Sequence, residues 1–274
     1  MDESLDLPVA IVTGGAQGLG KALALALVNA GVYVVVVDIN KTNGMRVVAE
    51  LNGQELRAHF AEVDLSKECE IYDLIASTVE QLGRIDIIVN NARCHLPQNV
   101  FPMSMGSWDY AMAVMLKAPA LLVEFALPYL IQSKQPTVVN ISSTNATFVS
   151  EQSIVYSVAK AAMLQLTKNL AYELGPKGIR VNAIAPGLLE LEDRTVPFTA
   201  TPINKVIAEV VVPLGRAANT SEISDLLLFL ISKAGSYITG QCLTIDGGLT
   251  LGCQFTSAKR ALLSKRARAI ENQN

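Results

Sequence analysis

The chain has 274 residues, of which 50% are hydrophobic, 17% are charged and 5% are aromatic, and its formal net charge is −3. A chain of this length and apolar content can bury a full core, which excludes disorder as its main state. The slightly acidic balance produces no basic field around the molecule. We therefore expect a small-molecule ligand and neither nucleic acid nor a membrane as partner.

Targeting and metal-binding patterns are missing from the sequence. The first residues, MDESLDLP, lack the basic and apolar regions of a secretion signal. The densest apolar stretch, residues 22–37, is interrupted by Asn29 and Gly31 and is shorter than the roughly 20 residues of a membrane span. We expect a cytoplasmic protein without a transmembrane helix. Free thiols and no metal site are expected from the spacing of Cys69, Cys94, Cys242 and Cys253.

Short β-branched runs alternate with helical patterns along the chain. The runs are continuously apolar, which is typical of strands buried on both faces of a parallel sheet. This alternation predicts an α/β fold with one doubly wound domain, in which helices flank a seven-stranded parallel sheet. The predicted strands lie within residues 9–14, 32–38, 56–64, 85–92, 137–143, 179–187 and 242–248.

Two segments fall outside this alternation. Residues 188–212 contain Pro197 and Pro202, which predicts a mobile loop with short helices that serves as an apolar lid or as a subunit contact. The basic residues 249–274 form a C-terminal extension that is either solvated or docked on a neighbouring subunit. The sequence shows no linker and no repeat, so we assign residues 1–248 to a single domain.

A glycine-rich turn, TGGAQGLG, connects the first predicted strand to a helix at residues 13–20. Glycine lets the backbone lie against a pyrophosphate, and the helix start directs free N–H groups towards it. A purely structural turn would show the same pattern. However, Asp38 ends the second strand at about the 20-residue distance expected for a ribose-binding acid. The two features together predict a dinucleotide site.

The end of the second strand indicates which dinucleotide is bound. A carboxylate at Asp38 would accept hydrogen bonds from ribose hydroxyls and repel a 2′-phosphate. Ile39 follows without an adjacent arginine, so NAD(H) is favoured over NADP(H), although Lys41 leaves NADP(H) open. Asp64 ends the third strand and either meets the adenine amine or caps a helix.

A tyrosine and a lysine are placed for acid–base chemistry. Tyr156 and Lys160 lie on one face of a predicted helix. Ser143 ends the preceding strand at the carboxyl edge of the sheet, where ligands bind in such folds. An adjacent ammonium would lower the phenol pKa from its usual value of about 10. The alternative is a partly buried tyrosine beside a surface lysine.

These motifs together resemble the short-chain dehydrogenase/reductase family from about Pro8 to Gly248. The resemblance implies a Rossmann fold and hydride transfer between a nicotinamide and a carbonyl or secondary alcohol. The matching residues are TGGAQGLG, Asp38, the VDL around Asp64, Asn90-Asn91-Ala92, Ser143, Tyr156, Lys160, the NAIAPG of residues 182–187, and the IDGG of residues 245–248.

The same resemblance implies the role of each site residue. Tyr156 would exchange the proton, Ser143 would hold the substrate oxygen, and Lys160 would bind the nicotinamide ribose and tune the tyrosine. Family members are usually tetramers or dimers, so we expect a homo-oligomer. The implied cofactor-binding residues are Gly14, Gln17, Gly18, Leu19, Gly20, Asp38, Ile39, Asp64, Leu65, Asn91, Ala92, Tyr156, Lys160, Pro186, Gly187 and Leu189.

A departure from the family pattern affects the substrate side. Arg93 replaces the glycine that usually follows Asn-Asn-Ala. Its side chain either turns to solvent or onto a diphosphate, or it binds an anionic or polar substrate group together with His95. Asn145 and Phe148 are further candidate substrate residues.

Two other departures affect catalysis and cofactor contact. Met115 stands where the family usually has an asparagine that holds a water in the proton relay, which a thioether cannot do. Leu191 replaces a threonine that often contacts the nicotinamide carboxamide. The sequence thus predicts an NAD-dependent oxidoreductase with Tyr156 as acid–base catalyst. The alternative is a catalytically impaired NAD(H)-binding regulatory or scaffold protein of the same fold.

Overall fold

The computed structural model describes residues 7–53, 57–94, 104–149, 153–191, 193 and 196–252. Its strands are β1 (Val9–Thr13), β2 (Tyr33–Asp38), β3 (Ala58–Glu62), β4 (Ile87–Asn90), β5 (Thr137–Ile141), β6 (Arg180–Pro186), β7 (Leu189–Glu190), β8 (Ala218–Asn219) and β9 (Cys242–Ile245). A seven-stranded parallel sheet has the order β3-β2-β1-β4-β5-β6-β9. The predicted doubly wound α/β fold is confirmed.

Helices connect the strands. They are α1 (Gly18–Asn29), α2 (Lys41–Asn52), α3 (Glu68–Leu82), α4 (Met105–Met112), α5 (Ala118–Leu130), α6 (Ile154–Leu174), α7 (Pro202–Val206) and α8 (Thr220–Ile231). Between α4 and α5 the chain forms a π-helical segment, Ala113–Lys117, and a second one, Ile207–Val211, follows α7. Neither π-helical segment was predicted from the apolar periodicity.

The sheet is buried on both faces, as its continuous apolar strands predict. One cluster packs residues of α3, α4, α5 and α6 against the sheet. The other packs α1, α2 and α8 against the opposite face. Strand β1 illustrates this, because Val9 and Ile11 belong to the first cluster whereas Ala10 and Val12 belong to the second.

Asp86 fixes the amino ends of β1 and β4 at the centre of the sheet. Its carboxylate accepts hydrogen bonds from the Val9 backbone N–H at 2.8 Å, from the Arg84 guanidinium at 2.8 and 2.9 Å, and from the Ser133 hydroxyl. The strand order reverses between these two strands, so a crevice opens at their carboxyl ends. The candidate site is built at this edge.

The segment 188–212 contains the short helices that its prolines predicted, in the part that the structure describes. It begins with β7, which pairs in parallel with β8 in a separate two-stranded sheet that the sequence did not indicate. Residues 198–200 and α7 then supply short helical turns. The basic residues of the C-terminal extension, from position 253 onwards, lie outside the described residues.

The stretch 22–37 is divided between α1 and β2 and does not form one long helix. The helical run Met105–Leu130, by contrast, is long and apolar enough by length and composition to cross a membrane, and 44% of its most apolar window is buried inside the protein. Leu122 and Ala126 on this run pack in the core. Core helices of soluble proteins pass the same criterion, so this run is weak evidence for a span.

Candidate active site at the carboxyl edge of the sheet

The glycine-rich turn packs tightly against the end of β4. Gly14 and Gly18 have φ angles of +64° and +54°, which L side chains rarely adopt. A Cβ atom on Gly14 would lie 2.8 Å from the Cα of Ala92, and one on Gly20 would lie 2.0 Å from the Gly14 carbonyl oxygen. The turn therefore requires glycine for both its backbone geometry and its packing.

Hydrogen bonds fasten this turn to the residues that follow β4. The Thr13 hydroxyl accepts from the backbone N–H groups of Asn91 and Ala92, at 3.0 and 3.1 Å. The Asn91 side-chain amide donates to the carbonyls of Thr13 and Gly14 at 3.0 and 3.1 Å. The Asn91 side chain thus holds the turn, and its contact with a ribose stays a prediction.

The start of α1 has the features of a phosphate-binding site. Its first turn contains no acidic residue, and Gln17, which precedes it, makes no side-chain cap among the described residues. Leu19 packs against the core and orients the helix start. N–H groups at a helix N-terminus, beside a glycine-rich turn, suit a pyrophosphate. The residues present therefore fit a dinucleotide.

Asp38 lies beside this turn, as the spacing predicted. Its carboxylate accepts hydrogen bonds from the Ala16 and Asn40 backbone N–H groups, at 3.2 and 2.9 Å, and it remains partly exposed. Ile39 is 59% exposed and offers an apolar surface next to the carboxylate. Asp38 therefore supports the turn and still has exposed area available to a ligand.

The end of β3 is organised by local contacts of Asp64. Its carboxylate accepts from the Ser66 N–H at 3.0 Å and from the Ser66 hydroxyl at 2.7 Å. Partial burial opposes ionisation, but these bonds and Lys67 outweigh it and lower the Asp64 pKa. The carboxylate bonds to Ser66 and does not cap α3, which begins after Lys67 without a side-chain cap, and its contact with the adenine stays a prediction. Leu65 is in the core, so its side chain does not line the cofactor site.

Ser143, Tyr156 and Lys160 come together at the carboxyl edge. The Ser143 side chain lies close enough to Tyr156 to act on the pKa of its hydroxyl. Lys160 is fully buried, and its Nζ donates to the Ile141 carbonyl at 2.6 Å and lies 5.6 Å from the centre of the Tyr156 ring. The surface-lysine alternative is therefore wrong.

The charges around Tyr156 differ from those expected. Burial raises the Tyr156 pKa, while the Ser143 side chain and the positive charge of Arg93 oppose that rise. Burial also lowers the Lys160 pKa to about 7, and Arg93 contributes to this fall. The expected lowering of the phenol pKa by Lys160 is thus not found, because Lys160 is itself desolvated. The cation that favours the phenolate is Arg93.

A buried polar chain positions α6 on the sheet. The Asn90 amide donates to Asn140, and the Asn140 amide donates to the Thr167 hydroxyl, both at 2.8 Å. The Ser142 hydroxyl donates to the Lys160 carbonyl at 3.1 Å. These bonds fix the helix that carries Tyr156, and the sequence analysis did not identify Asn140 or Thr167. A polar residue within an apolar run was the available signal.

The far wall of the site is formed by the turn after β6. The Gly187 N–H donates to the Ile245 carbonyl at 3.0 Å, and a Cβ atom on Gly187 would lie 2.7 Å from the Cβ of Asp246. Asp246 in turn accepts from the backbone N–H groups of Gly248 and Thr250. Pro186 and Leu189 flank this close approach at the end of β6 and in β7.

Two of the four candidate substrate residues, Asn145 and Phe148, lie on the turn that follows Ser143. The Asn145 N–H donates to the Ser143 hydroxyl at 3.1 Å, and Phe148 follows on the same turn, half-buried. Arg93 is exposed and has no carboxylate partner among the described residues. Its charge acts on Tyr156 and Lys160. His95 lies outside the described residues.

The structure locates the other two departures from the family pattern, Met115 and Leu191. Met115 is fully buried within the π-helical segment Ala113–Lys117, so its thioether is part of the core. The side chain of Leu191 lies over Gly18, 3.4 Å from where a Cβ atom would stand. Cys94 is a free thiol beside Arg93, and burial raises its pKa. The sequence analysis did not place Cys94 in the site.

Comparisons with known proteins show which family the chain is similar to. A family model described as enoyl-(acyl carrier protein) reductase matches residues 14–250. The 3-oxoacyl-(acyl-carrier-protein) reductase of Thermotoga maritima is 32% identical over 249 residues, which cover 90% of this chain and 99% of that protein. The 4-formylbenzenesulfonate dehydrogenase of Comamonas testosteroni is 35% identical over 248 residues, covering 89% and 98%.

A similar solved structure is a mutant of a Serratia marcescens short-chain dehydrogenase/reductase. It has a TM-score of 0.81 and 26% identity, and the match covers 90% of this chain and 100% of that one. The sequence match to the Thermotoga maritima reductase and this structural match each cover 90% of the chain. The chain therefore belongs to the short-chain dehydrogenase/reductase family of oxidoreductases, whose members typically use a nicotinamide dinucleotide.

Proposed function

We propose that the protein is an NAD-dependent oxidoreductase that transfers a hydride between nicotinamide and a carbonyl or secondary alcohol. The observation that carries this proposal is the juxtaposition of Tyr156, Ser143 and buried Lys160, whose Nζ lies 5.6 Å from the centre of the Tyr156 ring. This set lies at the same sheet edge as the glycine-rich turn. The Tyr156 hydroxyl and the dinucleotide site at the glycine-rich turn would thus face the same crevice.

Each side chain of the set has a distinct role. Ser143 holds the substrate oxygen next to the Tyr156 hydroxyl, which gives or takes the proton. The nicotinamide, when bound, supplies or accepts the hydride. Lys160 anchors the base of the site through the Ile141 carbonyl. Lys160 and Tyr156 would both contact the cofactor.

NAD(H) is the proposed cofactor because of Asp38. Its partly exposed carboxylate would accept hydrogen bonds from ribose hydroxyls and repel a 2′-phosphate. The adjacent Ile39 is exposed and uncharged, so it offers no counter-charge to that phosphate. Isothermal titration with NADH and NADPH tests this choice. Tighter binding of NADPH would reject it.

We propose an anionic carbonyl compound as the substrate class. Arg93 is an exposed cation without a carboxylate partner among the described residues, and its charge reaches Tyr156. A guanidinium suits a carboxylate or sulfonate. One relative is named for an anionic aldehyde, 4-formylbenzenesulfonate. An Arg93→Gln variant should raise KM for anionic substrates and leave KM for neutral ones nearly unchanged.

The mechanism is tested by replacing Tyr156 with phenylalanine. Tyr156→Phe should abolish turnover and leave NADH affinity nearly unchanged, because only the proton-carrying hydroxyl is removed. Tyr237→Phe is the control, since the Tyr237 side chain is fully exposed. Full activity of Tyr156→Phe against ketones and aldehydes would overturn the mechanism.

The regulatory or scaffold alternative has no support from the comparisons. Robust turnover of one compound in the substrate panel would remove it, whereas NADH binding without any turnover would favour it. We further propose a cytoplasmic homo-oligomer. Ile154, Val158 and Tyr172 leave an apolar surface exposed on α6, which would be covered in a dimer. A monomeric mass in light scattering would contradict it.

A further inference from the structure

A carboxylate from the segment after β7 reaches the start of α1. The Asp193 side chain accepts a hydrogen bond from the Gly18 backbone N–H at 2.5 Å, although 175 positions separate the two residues. Leu191 from the same segment lies over the same glycine. Two side chains of one segment therefore contact the point where the glycine-rich turn becomes a helix.

Asp193 supplies the negative charge that this helix end otherwise lacks. The first turn of α1 contains no acidic residue, and Gln17 provides no side-chain cap among the described residues. A carboxylate at a helix N-terminus is stabilised by the helix dipole and by the unpaired N–H groups. The contact is thus favourable in itself, yet it uses the N–H group that suits a phosphate.

The rest of the segment is anchored on both sides of Asp193. On one side, β7 pairs with β8 through Leu189 and Glu190. The Glu190 carboxylate also accepts from the Phe198 N–H at 2.7 Å, which closes the segment on itself. Asp193 lies between these two anchored residues, so its position is tied to that of the segment 188–212, for which the sequence predicts an apolar lid or a subunit contact.

We propose that Asp193 occupies the phosphate position of the cofactor site in the dinucleotide-free protein and must be displaced when a dinucleotide binds. The proposal rests on the proposed function, which places the pyrophosphate at this helix end. Its consequence is a coupling between cofactor binding and the segment 188–212. Arrival of the cofactor releases Asp193 and frees the segment to rearrange around the substrate.

The expected size of the effect follows from competition between two anions. When an occupant must first be displaced, the apparent affinity for the ligand is the intrinsic affinity multiplied by the fraction of sites that are free. Asp193 is exposed and its contact is a single charge-assisted bond. We therefore expect removal of the carboxylate to tighten NADH binding by about three- to tenfold.

The experiment measures NADH affinity by isothermal titration for the wild type, Asp193→Ala and Asp193→Asn. Asp225→Asn is the matched control, because Asp225 is an exposed acid that lines the same groove between α1 and α8 without bonding to the turn in the described structure. The two Asp193 variants should bind NADH about three- to tenfold more tightly, and Asp225→Asn should match the wild type.

Hydrogen exchange supplies a second readout that needs no turnover. In the dinucleotide-free state, peptides from residues 188–212 should exchange faster in Asp193→Ala than in the wild type or Asp225→Asn. Equal or weaker NADH affinity in Asp193→Ala, with measurable binding by the wild type, overturns this inference alone. If neither NADH nor NADPH binds to any variant, the proposed function fails and this inference falls with it.

Discussion

The buried Lys160 should lower the stability of the protein at neutral and acidic pH, and a Lys160→Met substitution would reveal this. Methionine keeps an unbranched side chain that is one heavy atom shorter, and it removes the charge. Burial lowers the Lys160 pKa from 10.5 to about 7. At about 1.4 kcal/mol per pH unit, that fall corresponds to a penalty of about 5 kcal/mol for the protonated folded state.

The sign of the pH dependence follows from proton binding. Between pH 7 and 10.5 the unfolded state keeps the lysine proton and the folded state releases it. The free energy of unfolding of the wild type therefore rises with pH across this window. Methionine does not titrate, so the variant lacks this contribution. Between pH 6 and pH 9 the lysine contribution should change by about 3 kcal/mol.

Removing the ammonium also leaves the Ile141 carbonyl without its 2.6 Å partner, at a cost of about 1 to 3 kcal/mol. The net expectation is that Lys160→Met is more stable than the wild type by about 2 to 4 kcal/mol at pH 6. This advantage should shrink by about 3 kcal/mol at pH 9.

Urea unfolding of both proteins at pH 6, 7.5 and 9 measures these differences. The control is Lys168→Met, a lysine on the same helix that is exposed to solvent. Its stability difference from the wild type should not depend on pH in this range. A Lys160→Met advantage that stays constant or grows with pH would refute the reasoning, because it would show that the lysine is not desolvated in the folded state.

Two further predictions concern the scaffold of the site. Asp86→Asn should destabilise the protein by about 2 to 4 kcal/mol at pH 7. Burial tends to raise the Asp86 pKa, but its hydrogen bonds outweigh burial and lower the pKa below 3.8. In urea unfolding, the stability difference between the wild type and Asp86→Asn should therefore shrink as the pH falls below about 4. Gly20→Ala places a Cβ atom 2.0 Å from the Gly14 carbonyl oxygen and should cost about 3 kcal/mol and most NADH affinity. Gly106→Ala, at an uncrowded helix position, should be neutral or stabilising by up to about 1 kcal/mol. The packing argument would be contradicted if Gly20→Ala and Gly106→Ala had the same thermal stability and the same NADH affinity.

The main architecture could be predicted because burial on both faces leaves a clear sequence signal. A strand such as Tyr33–Asp38, with five of its six residues buried, must be continuously apolar. The turn at residues 13–20 could be predicted because Gly14 and Gly18 have φ angles that L side chains rarely adopt and Gly20 leaves no room for a Cβ atom. In both cases the local sequence and the three-dimensional requirement coincide.

Other features depend on contacts between distant residues and leave no local signal. The two π-helical segments lie within ordinary apolar helical patterns, and the β7–β8 pair is only two residues long. The sequence does not distinguish Asp193 from any other surface acid, because its hydrogen-bond partner Gly18 is 175 positions away along the chain. Such features became visible only when the fold placed both partners together.

The electrostatics around Tyr156 show why residue spacing alone was insufficient to predict the charges of the candidate site. A lysine one turn from a tyrosine indicates proximity, and the structure confirms this. The spacing does not tell how deeply the lysine is buried, yet burial decides whether its charge survives. Lys160 is desolvated, whereas Arg93 is exposed and keeps its charge beside Tyr156. The departure from the family pattern at Arg93 thus acts on the phenol that Lys160 was expected to tune, and Arg93 is the cation that favours the Tyr156 phenolate.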